Sequence, residues 1–441
     1  MGPQTIPVLP PLGAGSVLIY KVYIMKRVVV TGLGALTPIG NNVKAYLDGL
    51  QNGISGANLI THFDAAQFKT QFACEVKNFN VEDYLDRREA RRIDMFTQYA
   101  LVTSDEAVKD SGLDSMLEQL DMDRVGVIWG AGIGGLKTLE EEIEYNADPE
   151  RSPRYNPFLI PKMIIDIAAG QISIRYGFRG INYATVSACA SSSHAIINAF
   201  DYIRHGRNDI IVTGGSEAAV TKTGVGGFNA MKALSTRNDD YKTASRPFDL
   251  DRDGFVLGEG SGALILEELE HAKKRGATIY AEIVGGGATA DAHHITAPHP
   301  EGLGAKNVMK MALADAGMNI DEVDYINVHG TSTPLGDIAE VKAIQQVFGE
   351  NAYQLNINST KSMTGHLLGA AGAIEALAGI LAINHNFVPP TINHFTDDPE
   401  LDSRLNFTFN EAQERKVNAV LSNTFGFGGH NSSVLFKKFE E

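Results

Sequence analysis

The sequence predicts an α/β fold in which one strand–helix unit occurs twice. Short β-branched runs alternate with longer helical patterns from Met25 onward, which points to a parallel or mixed sheet with helices on both faces. Similar segments also recur in the two halves of the chain. The composition is ordinary: 44% of the 441 residues are apolar and 21% are charged, which excludes disordered, collagen-like and coiled-coil classes. Such a length suits two or three domain-sized units or one large duplicated core.

Strands are expected at Arg27–Thr31, Arg124–Trp129, Asp209–Thr213, Tyr325–Val328 and Val417–Ser422. Helices are expected at Gln98–Asp110 and at His194–Ile203, where Ile196, Phe200 and Ile203 share one helical face. The duplication is legible in two pairs of segments. "DEAVKDSGL" leading through "MDRVGVIWGAGIGG" matches "MKMALADAGM" leading through "IDEVDYINVHGTSTP". Likewise "NYATVSACASSSHAI" and "NINSTKSMTGHLLGAAGAI" both run from a strand through a small-residue turn into a helix. The seam falls near Glu268–Gly287, giving halves at 25–275 and 276–441. Loops at the carboxyl ends of strands in both copies then face one shared site. Residues 1–24, rich in Pro and Gly, read as a tag, a mis-called start or a loose tail outside the fold.

Charge and cysteine content narrow the function. Against 38 Lys+Arg stand 53 Asp+Glu, a net charge of −15, which disfavours general nucleic-acid binding. An acidic partner would need a local basic patch. Two cysteines, Cys74 and Cys189, exclude a disulfide scaffold and suit a reducing cytoplasm. No run approaches the ~18 uninterrupted apolar residues of a membrane span, so no membrane association is expected.

Three motifs imitate ligand sites. Gly130–Gly135 satisfies G-x-G-x-x-G after a strand, but no clear strand with a terminal acid follows it as a dinucleotide site requires. Asp249, Asp251 and Asp253 resemble the start of a calcium loop, yet Gly260 stands where a bidentate Glu is needed. The neighbours His293 and His294 point to opposite faces of an extended segment.

The chemistry gathers elsewhere. Cys189 lies in "TVSACASSSHAI", at the end of an apolar strand and the start of a helix, where free N–H groups favour thiolate over thiol. His329 follows the strand Tyr325–Val328, and His366 opens another small-residue helix after Lys361. The glycine turn Asn423–Ser433 can present backbone N–H groups to an oxyanion.

These segments, with "MKRVVVTGLGALTPIGN", "ALSTRND", "ASRPFDLDRDGFVLGEGSGALILEE" and "DAHHITAPHPEG", resemble the decarboxylating Cys-His-His β-ketoacyl-acyl-carrier-protein synthases, most nearly the synthase II type. The resemblance implies a thiolase-type fold, two pseudo-repeated halves in a five-layered α-β-α-β-α core, usually homodimeric. It makes Cys189 the acyl acceptor, the N–H groups of Cys189 and Phe427 the oxyanion hole, and His329 and His366 the donors that stabilise a malonyl-derived enolate. Lys361 takes a supporting electrostatic role, with Glu340 as its expected ion-pair partner. Thr331, Thr333, His294 and Thr296 are assigned to the phosphopantetheine tunnel, and Ile133 and Phe228 to the acyl pocket. Phe427 becomes a gate flanked by Gly426, Gly428 and Gly429. No metal or cofactor of the enzyme's own is implied, the phosphopantetheine being carried by the acyl carrier protein. The basic run Arg87, Arg88, Arg91 and Arg92, expected on one helix face, is assigned to docking that acidic carrier. One departure is His430, where many relatives carry Thr.

Rival readings are a polyketide-type ketosynthase with the same triad and a nicotinamide-dependent oxidoreductase. A degradative thiolase would need a second catalytic cysteine in the C-terminal half, and the Cys-His-Asn synthases would place Asn at His366. A chain-length-factor relative would lack the nucleophile.

Overall fold

The computed structural model describes residues 25–441; the reading of residues 1–24 lies outside them. Ten strands form one mixed sheet. The first half supplies β1 (Val28–Leu36), β2 (Val125–Gly130), β3 (Asn182–Thr185), β4 (Ile210–Glu217) and β5 (Gly260–Glu268). The second supplies β6 (Ala281–Ala290), β7 (Tyr325–Asn327), β8 (Asn356–Asn358), β9 (Ala419–Gly426) and β10 (His430–Lys437). Their order is β8-β7-β9-β10-β6-β1-β5-β4-β2-β3. Counted outward from the centre, β1 and β6, β5 and β10, β4 and β9, β2 and β7, and β3 and β8 hold equivalent places.

Pairing type repeats as well. In each half the two inner pairings are antiparallel and the two outer ones parallel. Within the sheet, the halves join among the described residues through three antiparallel pairs, Val28↔Ile283, Val29↔Glu282 and Val30↔Ala281. The predicted duplication is thus present strand for strand.

Five helices complete the layers: α1 (Met95–Asp110), α2 (Ser191–Arg204), α3 (Leu303–Ala316), α4 (Pro334–Phe348) and α5 (Ala371–His385). Their ends are specified locally. The Asp94 side chain accepts the Phe96 N–H to start α1, Pro334 occupies the first turn of α4, and Gly317 closes α3 at φ 63°. Three apolar clusters separate the layers. One packs α1 against the first half's sheet, another packs α3 and α4 against the second half's, and the largest encloses α2 and α5 between the two. This is the five-layered α-β-α-β-α arrangement.

Because α5 is surrounded on all sides, it is apolar on every face except at Glu375. Leu368–His385 is, by length and mean hydropathy, long and apolar enough to cross a membrane, although Glu375 interrupts its apolar run, and it is almost wholly buried inside the protein. The seam also hides a strand. The glycine-rich segment after Tyr280 is β6, where a Cβ at Gly285 would meet the Ala312 carbonyl of α3.

Gly130, at the end of β2, shows how tightly the middle layer is set. A Cβ there would meet the backbone of Ser191 and Ser192 at the start of α2. Gly130→Ala should therefore lower stability by about 1–3 kcal/mol through overpacking, read as a fall in the midpoint of thermal unfolding.

Candidate active site

Cys189 stands on a tight turn between β3 and α2. Ala188 adopts φ 51°, a left-handed conformation that disfavours residues bearing a Cβ. The surrounding hydrogen bonds over-determine it. Ala190 N–H donates to the Ser187 carbonyl at 3.1 Å, and Ser191 Oγ accepts from Ser187 N–H at 2.9 Å while donating to the Ala188 carbonyl at 2.7 Å. The β9–β10 turn approaches so closely that a Cβ at Gly426 would lie 2.7 Å from the Ser187 carbonyl oxygen. Small residues here are a steric requirement.

His366 places Nε2 3.0 Å from Cys189 Sγ. Its backbone is clamped on both sides, donating to the Val256 carbonyl at 2.8 Å and accepting from Gly258 N–H at 2.9 Å. His329 leaves the end of β7, and the Glu340 carboxylate on α4 accepts its N–H at 2.9 Å and that of Gly330 at 2.8 Å. The two imidazole rings lie 5.2 Å apart at 86°. One nitrogen of each and the Cys189 sulfur fall within 4.8 Å of one another. Three distant turns do meet in one place.

Lys361 governs the charges. Buried to 1% exposure, it pairs with Glu375 of α5, not with Glu340. The expected partner is corrected on geometry: Glu340 spends its oxygens on the backbone N–H groups that hold the His329 turn. Burial drives both imidazoles well below the ordinary histidine value, Lys361 adds to this, and His366 depresses His329 further. Both rings are therefore neutral at pH 7. Burial also pushes the Cys189 thiol up to about 11, outweighing the Phe427 N–H, Lys361 and its own N–H, which all favour the thiolate. The helix start does favour the thiolate, but at rest desolvation prevails and the group is a thiol. Phe427 N–H and Cys189 N–H both favour charge on the sulfur.

A cavity of about 610 Å³ opens from this centre, lined by Cys189, His329, His366, Thr296, Thr331, Thr333, Ile133, Phe228 and Phe427. Thr331 and Thr333 set their hydroxyls 3.1 Å apart. His294 is the exception: it is exposed, and its Nδ1 accepts the N–H groups of Thr296 and Ala297 at 3.1 Å each, shaping the loop while His299 takes the place on the wall. Arg87, Arg88, Arg91 and Arg92 are all exposed, but not on one long helix. The helix covers only Arg87–Ala90, with Arg91 and Arg92 in the turn beyond it; Arg87 lies 3.3 Å from Glu82, and Arg92 sits over the Phe158 ring.

The motif look-alikes have physical explanations. In the Gly130–Gly135 loop, the N–H groups of Gly132, Ile133 and Gly134 donate to the buried carboxylate of Glu217 at 2.7, 3.1 and 3.0 Å. They bind an internal anion where a dinucleotide site would hold pyrophosphate. Asp249 accepts the N–H groups of Asp251, Phe395 and Thr396, a satisfied turn. The Cys189–His329–His366 group has the spacing of a metal site. Lys361, however, places a fixed positive charge near all three groups, which opposes a dication there.

Sequence reasoning missed Glu375 and Glu217. A lone Glu inside the all-apolar "GAIEALAGILAI" was a usable signal, since a buried carboxylate requires a partner. Nothing in the spacing marked Glu217.

The chain matches the family models "Beta-ketoacyl synthase, N-terminal domain" over residues 25–272 and "Beta-ketoacyl synthase, C-terminal domain" over 280–395. It is 51% identical to the 3-oxoacyl-[acyl-carrier-protein] synthase 2 of Staphylococcus aureus (strain COL), over 94% of this chain and 99% of that one. Among solved structures it resembles a beta-ketoacyl synthase from Burkholderia phymatum, at 34% identity and a TM-score of 0.86, covering 94% of this chain and 100% of that one. It also resembles a type II PKS ketosynthase in complex with its acyl-carrier protein and bound to the hexaketide, at 34% identity and a TM-score of 0.84, with the same coverage.

The charge arrangement makes a testable statement about the thiol. Alkylation of Cys189 by iodoacetamide should rise with pH from neutrality towards about 11, read by intact mass at timed intervals. Lys361→Met should slow it at every pH, because the ammonium favours the thiolate. Equal rates in the two proteins would show that Lys361 does not act on the sulfur.

Proposed function

The chain belongs to the beta-ketoacyl synthase family, and from that premise we propose that it is a 3-oxoacyl-acyl-carrier-protein synthase of type II, elongating fatty acyl chains by decarboxylative condensation. The observation that carries the reading is the 3.0 Å contact between Cys189 Sγ and His366 Nε2 on the cavity wall, with His329 beside them.

The chemistry proceeds in two halves. As the Cys189 sulfur attacks the carbonyl carbon of an acyl-carrier thioester, its proton passes by way of His366 Nε2, 3.0 Å away, to the carrier sulfur that leaves. The tetrahedral oxyanion rests on the N–H groups of Cys189 and Phe427, and collapse expels the carrier's thiol. Malonyl carrier then enters the same tunnel. Loss of CO2 leaves the C–C bonding pair as an enolate, whose oxygen accepts hydrogen bonds from His329 and His366. Neutral rings suit this role: each can donate N–H without handing the carbanion a readily lost proton. The enolate carbon attacks the acyl-Cys189 carbonyl, the C–S bond breaks, and β-ketoacyl carrier leaves. Departure of CO2 generates the carbanion, so the proposal includes no metal or redox cofactor.

Supporting residues follow from position. Thr331 and Thr333 offer hydroxyls to the phosphopantetheine arm, with Thr296 and His299 on the same cavity wall; Ile133 and Phe228 line the path for the acyl chain. Phe427 lies between Gly426 and the positive-φ residues Gly428 and Gly429, a backbone able to re-aim both its ring and its N–H. The carrier is the proposed macromolecular partner, docking through Arg87, Arg88, Arg91 and Arg92. A homodimer is proposed through the outer edge of β3, which pairs only with β2 and is flanked by exposed Val186 and Ile174. A reducing compartment such as the cytoplasm keeps Cys189 competent. The fatty-acid reading is favoured over a polyketide one by identity: 51% to the synthase 2 relative against 34% to the polyketide ketosynthase.

Incubation with acyl carrier protein should leave an acyl adduct on the wild type and none on Cys189→Ala, read by intact mass. Cys189→Gln should still decarboxylate malonyl carrier but not condense; retained condensation would refute the nucleophile. Reversing the charge of Arg88 and Arg91 should slow acyl transfer, most at low salt. Carrier kinetics that do not change across a salt series would remove those arginines from docking.

A further inference from the structure

We infer that Glu217 is a specificity-determining positioning residue: its buried carboxylate staples together the two loops that form the inner wall of the acyl pocket, and so sets which chain lengths the pocket accepts. The inference rests on the acyl-transfer reading above and deepens it.

Glu217 ends β4 with no exposed surface. Its oxygens accept five close N–H approaches from two segments far apart in sequence. Oε1 takes Ile133 at 3.1 Å and Gly134 at 3.0 Å; Oε2 takes Gly132 at 2.7 Å, Gly369 at 3.1 Å and Ile133 again at 3.3 Å. The first segment carries Ile133. The second, three residues beyond His366, carries Leu368, held at φ 48°. Both side chains line the cavity beside Phe228 and Phe255. The two segments touch directly as well: a Cβ on Gly369 would collide with the Gly132 nitrogen.

Four different N–H donors aimed into a buried space need an acceptor, and this carboxylate is the acceptor they have. An amide in its place would turn an NH2 group towards some of them and lose part of the set. The loops would then separate, with Ile133 and Leu368 moving relative to the acyl path. A shift of this wall is felt according to how far an acyl chain reaches along it. A one-methylene change in an apolar pocket already alters discrimination by about 10–200-fold. The same carboxylate lies near enough to Cys189 to oppose its ionisation, which supplies an independent readout.

The test compares wild type, Glu217→Gln, Ile133→Ala and the double variant, measuring acylation of Cys189 by butyryl- and palmitoyl-carrier protein by intact mass. Glu217→Gln should change the ratio of the two rates by about tenfold or more, and its effect should be non-additive with Ile133→Ala because both act on one wall. It should also shift the pH profile of iodoacetamide alkylation towards lower pH, a shift that Glu217→Asp, which disturbs the same loops but keeps the charge, should not share. Glu217→Asp, which keeps the charge but withdraws it by one methylene, provides the second variant should the amide not fold; it should change the ratio without that pH shift. If either folded variant slows both substrates equally, or the Ile133 and Glu217 effects simply add, the inference is wrong. Failure of the wild type to be acylated by either carrier would instead defeat the proposed function.

Discussion

An ammonium group shielded from water controls this centre. Lys361 is held by Glu375, which rises from the middle of the most buried helix, and the pair lies under both imidazoles and the sulfur. Burying one charge alone is prohibitively costly, so the two are retained together or not at all. Burial pushes the Glu375 carboxyl up to about 7, with Lys361 opposing; without the ammonium, the carboxyl would take up a proton and the field would vanish. With it, the rings are held neutral and the sulfur is given a counter-charge as it ionises. The site is thus poised rather than pre-ionised: it stores a thiol, two neutral donors and a fixed positive potential, all of which matter once substrate brings negative charge in.

The duplicated fold explains how these parts are brought together. Helices α2 and α5 occupy equivalent places in the two halves and share the central layer. The turn before α2 carries the nucleophile, and the turn before α5 carries His366 and, through Lys361, the charge. The equivalent loops after β2 and β7 diverged: one became a wall, the other holds His329. Each of those loops has its N–H groups gathered by an internal carboxylate, Glu217 in the first half and Glu340 in the second. One structural solution to a strand-end loop, a carboxylate gathering its N–H groups, thus recurs in both copies.

What was legible in the sequence follows from what leaves a local trace. Alternating strand and helix periods exposed the repeat, and the small-residue turns around Cys189 and His366 marked where backbone must approach backbone. Strand β6 was obscured because its glycines, demanded by the close approach of α3, carry no β signal. The partner of Lys361 was misassigned for a different reason. Glu340 and Glu375 lie 21 and 14 residues from it in sequence, and only the fold decides which carboxylate reaches the ammonium. His294 and the arginine run were placed by pattern in the right neighbourhoods, while their orientation and the extent of their helix depended on contacts that no spacing encodes.

The thiol shows most clearly why pattern and environment must be weighed together. A helix start, a lysine and two N–H donors all favour thiolate, yet complete burial outweighs them and leaves the sulfur protonated. The consequence is mechanistic. A permanently ionised cysteine in a cavity of this size would react with any electrophile that entered. In the proposed reaction the nucleophile gains its charge only as the carbonyl oxygen of a bound thioester develops its own, over the N–H donors of Cys189 and Phe427. Selectivity then resides in occupancy of the cavity rather than in reactivity of the sulfur, and the walls that decide occupancy become as important to the outcome as the triad they enclose.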